Sequence, residues 1–360
     1  MLYKLLLQVY YGINQLMSKE TAMIVAMKKR ATKQEIDNVV NAAHSLGFDV
    51  QLNVGSEKTV IAILGSATGQ FSVDTFGVMP NVDSVTRIMN PYKLPSREFK
   101  PEDSVFDING IKLGGKQVIV MAGPCAVESE EQILETAKAV KEAGATILRG
   151  GAFKPRTSPF SFQGLEKAGL EILAKAGAAM DMPVVTEVMD PRDVELVMKY
   201  ATILQIGARN MQNYSLLREV GKAKRPTVLK RSLAATITEW FSSADYLLAE
   251  GNKQVILCER GIRTFEDTAR FSLDVCAIGN TKRLSHLPLI VDPSHAAGHF
   301  ELVPSLAKAA VAAGADGLMI EVHPNPQIAL VDGLQSLNFS NFQSLMAVLK
   351  KVAQSVDRDI

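Results

Sequence analysis

The residues most able to do chemistry lie in one stretch, Arg149-Gly150-Gly151-Ala152-Phe153-Lys154-Pro155-Arg156-Thr157-Ser158-Pro159-Phe160-Ser161-Phe162-Gln163-Gly164. Three cations, Arg149, Lys154 and Arg156, fall within eight residues with no acid among them, on a backbone restrained by Gly-Gly and two prolines. Guanidinium and ammonium groups fixed without counter-charges suit a multiply charged anion such as a phosphorylated metabolite. A solvated basic loop is the plainer alternative, but it needs neither the glycine pair nor the apolar residues between the charges.

More cations follow apolar runs further along: Arg209 in Gly207-Ala208-Arg209-Asn210, Lys230 and Arg231, Arg260 in Cys258-Glu259-Arg260-Gly261, and Arg263. Gathered at one site they would repel one another unless anions sat among them, and two phosphates and a carboxylate would suit. Arg260 has possible partners in Glu259 and Glu187, and Arg231 is free to face solvent, so roughly half of the set is assigned to substrate contact. A second group, Cys125, His295, Glu321 and Asp332, combines thiolate, imidazole and two carboxylates, a donor set suited to one divalent Mn, Fe, Co or Zn ion. His299 and His323 lie near this group in sequence and are set aside, because a lone histidine after a strand is more often simply hydrogen-bonded.

These residues need a scaffold that brings them together. From about Gln117 onward, eight short apolar runs alternate with helical segments: 118–122, 145–148, 183–186, 203–206, 227–230, 254–257, 289–291 and 317–320. Helix starts are signed by Ser129 with Gln132, by Asp190 before Pro191, and by Thr236 with Glu239. Eight such units in roughly 240 residues fit an α/β fold of the (β/α)8 TIM-barrel kind. An open doubly wound sheet also alternates strands and helices. The barrel is preferred because Cys125, Arg149, Glu187, Arg209, Lys230, Arg260, His295 and Glu321 all follow strand ends, which converge only in a closed barrel. No Gly-x-Gly-x-x-Gly follows the first of these strands, and the chain has no phosphate-cradling Gly-x-x-x-x-Gly-Lys-Ser/Thr loop.

Ahead of the barrel, residues 23–89 read as strand, helix, strand, strand, helix, strand, a small α+β ferredoxin-like domain. Thr32 and Glu35 form a capping box for its first helix. Residues 1–22 read as a poorly ordered leader, too short and polar for a membrane span, with Met17 and Met23 as alternative starts. Residues 90–115, with three prolines and mixed charges, read as a linker, and the barrel is placed at 116–352. With 47% apolar and 21% charged residues, the 360-residue chain can bury a large core. Its net charge of +1 argues against nucleic acid or a membrane surface as partner. Three widely spaced cysteines, Cys125, Cys258 and Cys276, argue against a disulfide framework and for a reducing cytoplasm.

Seven segments carry a family resemblance: Ala122-Gly123-Pro124-Cys125, Leu148-Arg149-Gly150-Gly151, Lys154-Pro155-Arg156-Thr157-Ser158, Gln205-Ile206-Gly207-Ala208-Arg209, Leu229-Lys230-Arg231, Cys258-Glu259-Arg260-Gly261 and Asp292-Pro293-Ser294-His295. In this order and spacing the chain, from about Met23 to Leu349, resembles 3-deoxy-D-arabino-heptulosonate 7-phosphate (DAHP) synthase of the type I-beta group. Ala126 stands where many relatives have serine. The resemblance implies metal-dependent condensation of phosphoenolpyruvate with erythrose 4-phosphate, releasing phosphate, on the way to aromatic amino acids. It further implies that Arg149, Lys154, Arg209, Lys230 and Arg260 hold phosphoenolpyruvate, that Arg156 and Thr157 hold the aldose phosphate, and that Cys125, His295, Glu321 and Asp332 hold the metal. Lys154, with a metal-bound water, is the candidate for proton movement, and Asp292 is a candidate assistant.

Two other functions compete. The related 3-deoxy-D-manno-octulosonate 8-phosphate synthase takes arabinose 5-phosphate, but typically carries an Asn-Arg-Ser-Ser type stretch where this chain has Pro155-Arg156-Thr157-Ser158. A sugar-phosphate sensor without turnover would not require Cys125. The N-terminal domain is expected to act as an ACT-like regulatory module for tyrosine or phenylalanine, or as an assembly element of a homotetramer or other homo-oligomer.

Overall fold

The computed structural model describes residues 22–360 apart from 56–57, 66–70, 89–90 and 157. The proposed leader, save Ala22, and Thr157 therefore lie outside the described residues. The chain forms two compact units, one ending at Pro91 and one running from Tyr92 to Ile360.

In the first unit, β1 (Ala22–Met27), β2 (Asp49–Val54), β3 (Thr59–Leu64) and β4 (Val82–Ile88) form an antiparallel sheet in the order β2-β3-β1-β4. Alternation sends Met23, Val25 and Met27 of β1 and Ile61 and Ile63 of β3 to the covered face. There they pack with Val39 and Ala43 of helix α1 (Lys33–Ser45). The capping box is formed: Thr32 accepts from the Glu35 backbone, and the Glu35 carboxylate accepts from the Thr32 N–H at 2.7 Å. The second expected helix is a single turn, α2 (Asp74–Gly77). Pro80 follows closely and disfavours helical backbone at the residue before it.

In the second unit the eight apolar runs become β7 (Ile119–Gly123), β8 (Ile147–Arg149), β9 (Val184–Glu187), β10 (Ile203–Ile206), β11 (Thr227–Lys230), β12 (Val255–Glu259), β13 (Leu289–Val291) and β14 (Gly317–Glu321). They pair in parallel and close into a barrel, β14 joining β7 from Gly317↔Ile119 to Glu321↔Gly123. Strands covered by helices outside and by side chains inside are buried on both faces, which is why their sequences are continuous apolar runs. The final helix runs through Phe339–Ser355, and beyond it Val118 N–H donates to Asp359 O at 2.7 Å.

Residues 92–115, read above as a linker, instead belong to the barrel unit. Tyr92 packs edge-on against Phe241, with ring centroids 4.8 Å apart. The Lys93 and Leu94 N–H groups each donate to the Asp245 carboxylate at 2.8 Å. The hairpin β5 (Phe106–Ile108) and β6 (Ile111–Leu113) adds Phe106, Ile108 and Leu113 to the barrel core. Its turn, Asn109-Gly110, has positive φ at both positions, as a tight hairpin requires. Proline content alone could not distinguish this strap from a free tether. No helix among the described residues is long and apolar enough to cross a membrane.

Candidate active site at the barrel mouth

The C-terminal strand ends converge on one cavity of about 290 Å³. Seven cations line it, Arg149, Lys154, Arg156, Arg209, Lys230, Arg260 and Arg270, against two carboxylates, Glu187 and Asp332. Arg156 and Arg209 make no ion pair among the described residues. Arg260 is buried with its guanidinium over the Phe271 ring, 4.4 Å from the centroid, and its Nη1 has no hydrogen-bond partner. A buried, unpartnered guanidinium N–H is costly, and an entering anion would relieve that cost.

The glycine pair after Arg149 has a steric reason. A Cβ on Gly151 would lie 2.7 Å from Cys125 O and 2.8 Å from Lys154 Cδ. The missing side chain lets Lys154 fold back, so that its Nζ donates to Cys125 O at 3.0 Å and lies 3.1 Å from Cys125 Sγ.

At one side of the cavity the ligand atoms of Cys125, His295, Glu321 and Asp332 all lie within 4.8 Å of one another. One ion bound at ordinary lengths to four such donors needs separations of about 3–4.5 Å, so the donor set fits a single transition metal. Cys125 Sγ lies 3.5 Å from Asp332 Oδ2, and His295 Nε2 lies 3.5 Å from Glu321 Oε1. His295 Nδ1 is 2.7 Å from Asp292 Oδ2, which fixes the ring and leaves Nε2 facing the cluster. Glu321 Oε1 accepts from Arg149 Nη1 at 2.9 Å, and Oε2 accepts from Gln335 Nε2 at 2.6 Å. Burial opposes the Glu321 charge, yet His295 and Arg149 draw its pKa down to about 2. Burial, reinforced by Glu321, pushes the Cys125 thiol up to about 12 against the pull of Lys154 and Arg149. Burial lowers the His295 pKa against the opposing pull of Asp292 and Glu321.

Not every candidate faces the cavity. Arg231 is buried, pairing with Glu259 and Asp274 at 2.9 Å each, so it neither lines the cavity nor faces solvent. Glu259 also accepts from Gly261 N–H at 2.7 Å, so this pairing holds the turn that carries Arg260. Glu259 is thus the partner of Arg231, not of Arg260. Arg263 is exposed and does not line the cavity. Asp292 is fully buried, with Oδ2 2.5 Å from Lys230 Nζ and 2.7 Å from His295 Nδ1, so it holds both of these side chains in place. His323 lies 3.4 Å from Glu128 and accepts from Asn325 N–H, while His299 is partly exposed. Arg270 and Gln335 were missed. Both sit in loops away from strand ends, where position gives no sign of role.

The DAHP synthetase I family matches residues 97–358. This chain belongs to that family. A separate family, the DAHP synthase ferredoxin-like domain, matches residues 23–90. The phospho-2-dehydro-3-deoxyheptonate aldolase of Thermotoga maritima is 47% identical over 334 residues, covering 93% of this chain and 98% of that protein. Its crystal structure superposes with a TM-score of 0.90 at 46% identity, over 94% of this chain and 99% of that one. A truncated form of the Thermotoga maritima synthase matches 74% of this chain and 98% of its own length, with a TM-score of 0.70 at 45% identity. The 2-dehydro-3-deoxyphosphooctonate aldolase of Nitrosococcus oceani is more distant, 29% identical over 70% of this chain and 96% of that protein.

Proposed function

We propose that the barrel mouth condenses phosphoenolpyruvate with erythrose 4-phosphate to give DAHP and inorganic phosphate, the first step toward aromatic amino acids. Family membership and near full-length similarity to a heptonate aldolase support the reaction. The observation that carries it to this site is the set of seven cations facing two carboxylates in one cavity, beside a four-donor metal cluster. The distance to the octulosonate aldolases, similar over only part of the chain, favours the four-carbon aldose over arabinose 5-phosphate.

In this reading Arg149, Lys154, Arg209, Lys230 and Arg260 hold the phosphate and carboxylate of phosphoenolpyruvate, with the spare Arg260 N–H as one donor. Arg156, together with Thr157, holds the aldose phosphate. Cys125, His295, Glu321 and Asp332 hold one divalent ion, which when bound polarises the aldehyde carbonyl. Lys154 Nζ, buried beside Cys125, supplies a proton as the carbonyl oxygen gains charge. Asp292 keeps Lys230 extended and His295 turned toward the cluster, so both cation and ligand are set before substrate arrives. The N-terminal unit serves as the regulatory module for tyrosine or phenylalanine, within a homotetramer or another homo-oligomer.

The test is phosphate release from phosphoenolpyruvate, with erythrose 4-phosphate or arabinose 5-phosphate, before and after chelation. Turnover with the four-carbon aldose alone, abolished by chelator and restored by divalent metal, supports the reading. Preference for arabinose 5-phosphate, or full turnover without metal, overturns it.

A further inference from the structure

Gln335 joins parts of the barrel mouth that are far apart in sequence. It follows Asp332 by three residues, at the end of the 3-10 turn Gly333–Gln335, and its side chain is buried. Its Nε2 donates to Glu321 Oε2 at 2.6 Å, while its Oε1 accepts from Arg270 Nη1 at 2.7 Å. The same Arg270 Nη1 lies 3.5 Å from Asp332 Oδ1. One guanidinium therefore touches one candidate metal ligand directly and reaches a second through a single amide.

The residue type follows from its neighbours. A group between a cation and a carboxylate must accept at one end and donate at the other, which a primary amide does, and the two partners fix which way it points. Leucine would leave Glu321 Oε2 without its donor in a buried site. The spacing within the turn is also fixed: Asp332 takes a left-handed backbone at φ 51°, and a Cβ on Gly333 would lie 2.1 Å from Pro326 O. Arg270 is anchored in turn by its backbone N–H, which donates to Ala297 O at 3.2 Å, two residues beyond His295.

We propose that Gln335 and Arg270 are positioning residues that orient Glu321 and Asp332 and so set both the affinity and the coordination geometry of the metal site. This rests on reading Cys125, His295, Glu321 and Asp332 as metal ligands. Partners of this kind hold ligands in the one orientation that lets all donors reach the ion together.

The experiment uses the full-length protein and Co²⁺ as the probe, followed by its thiolate-to-cobalt and ligand-field absorption. Wild-type protein is expected to bind Co²⁺ with a thiolate band that Cys125→Ser removes. Gln335→Leu is expected to weaken Co²⁺ binding by about 10–100-fold and to shift the ligand-field bands. Arg270→Ala, at a more exposed side chain that puts folding at less risk, should shift the same bands. The double variant should lose less affinity than the product of the two single losses, because part of the Arg270 effect passes through Gln335. Wild-type affinity and spectrum in both single variants would overturn the proposal, and fully multiplicative losses would overturn the relay through Gln335. Absence of a Cys125-dependent band in the wild type would overturn the metal reading itself, and this inference with it.

Discussion

Lys154 Nζ stands 3.1 Å from Cys125 Sγ inside the barrel mouth, so the proposed proton donor and the one thiol of the metal cluster share a buried corner. Without a metal the thiol stays protonated, since burial holds its pKa at about 12. Coordination requires the thiolate, so metal loading must expel that proton. His295, whose pKa burial lowers below the ordinary imidazole value, and Glu321, ionised with a pKa of about 2, have no such proton to lose near neutral pH. Metal affinity should therefore rise with pH through the neutral range, by about tenfold per unit, with about one proton released per ion. Calorimetry in buffers of different ionisation enthalpy measures that proton. Release of none would mean that Cys125 is not a ligand.

Arg156 lines the cavity without an ion pair among the described residues and is assigned to the aldose phosphate. Arg156→Ala should raise the KM for erythrose 4-phosphate far more than that for phosphoenolpyruvate. Loss of one charge-assisted contact corresponds to about 1.5–3 kcal/mol, or roughly 10–150-fold. Steady-state kinetics with each substrate varied in turn decides the point, and equal effects on the two would reject the assignment.

Arg149 Nη1 and Glu321 Oε1 form a buried pair at 2.9 Å, both side chains at most 5% exposed. Arg149→Ala leaves the carboxylate without its cation and should cost about 3 kcal/mol of stability. Chemical denaturation of the metal-free protein would show this as a lower midpoint, together with a severe fall in kcat/KM for phosphoenolpyruvate. An unchanged midpoint would show that the pair contributes nothing to the fold.

The barrel unit begins at Tyr92, whose ring packs on Phe241. A chain starting at Tyr92 should fold, keep a comparable kcat and lose inhibition by tyrosine or phenylalanine. A chain starting at Pro101 should melt lower, because it also loses the two Asp245 hydrogen bonds. Paired thermal melts and inhibitor titrations of both forms and the full chain give the answer. Inhibition that survives truncation would move the effector site into the barrel.

The sequence by itself determined the elements and the positions of most chemical groups. Hydrophobic runs, capping pairs and strand-end residues are local signals, and the barrel turns strand ends into neighbours by topology alone. Cys125, Arg149, Lys230, Arg260, His295 and Glu321 were legible for that reason. Tertiary structure decided what each cation faces. Lys230 and Arg231 are adjacent, yet Lys230 points to the cavity and Arg231 away from it, into Glu259 and Asp274. Successive side chains at a strand end leave on opposite sides, and only the packed neighbours show which side is the lumen. Residues 92–115 became a strap because Asp245 and Phe241, about 150 positions later, supply partners that composition cannot reveal. Arg270 and Gln335 bear on the site through contacts with each other and with Glu321 and Asp332, a relationship that exists only once the barrel has closed.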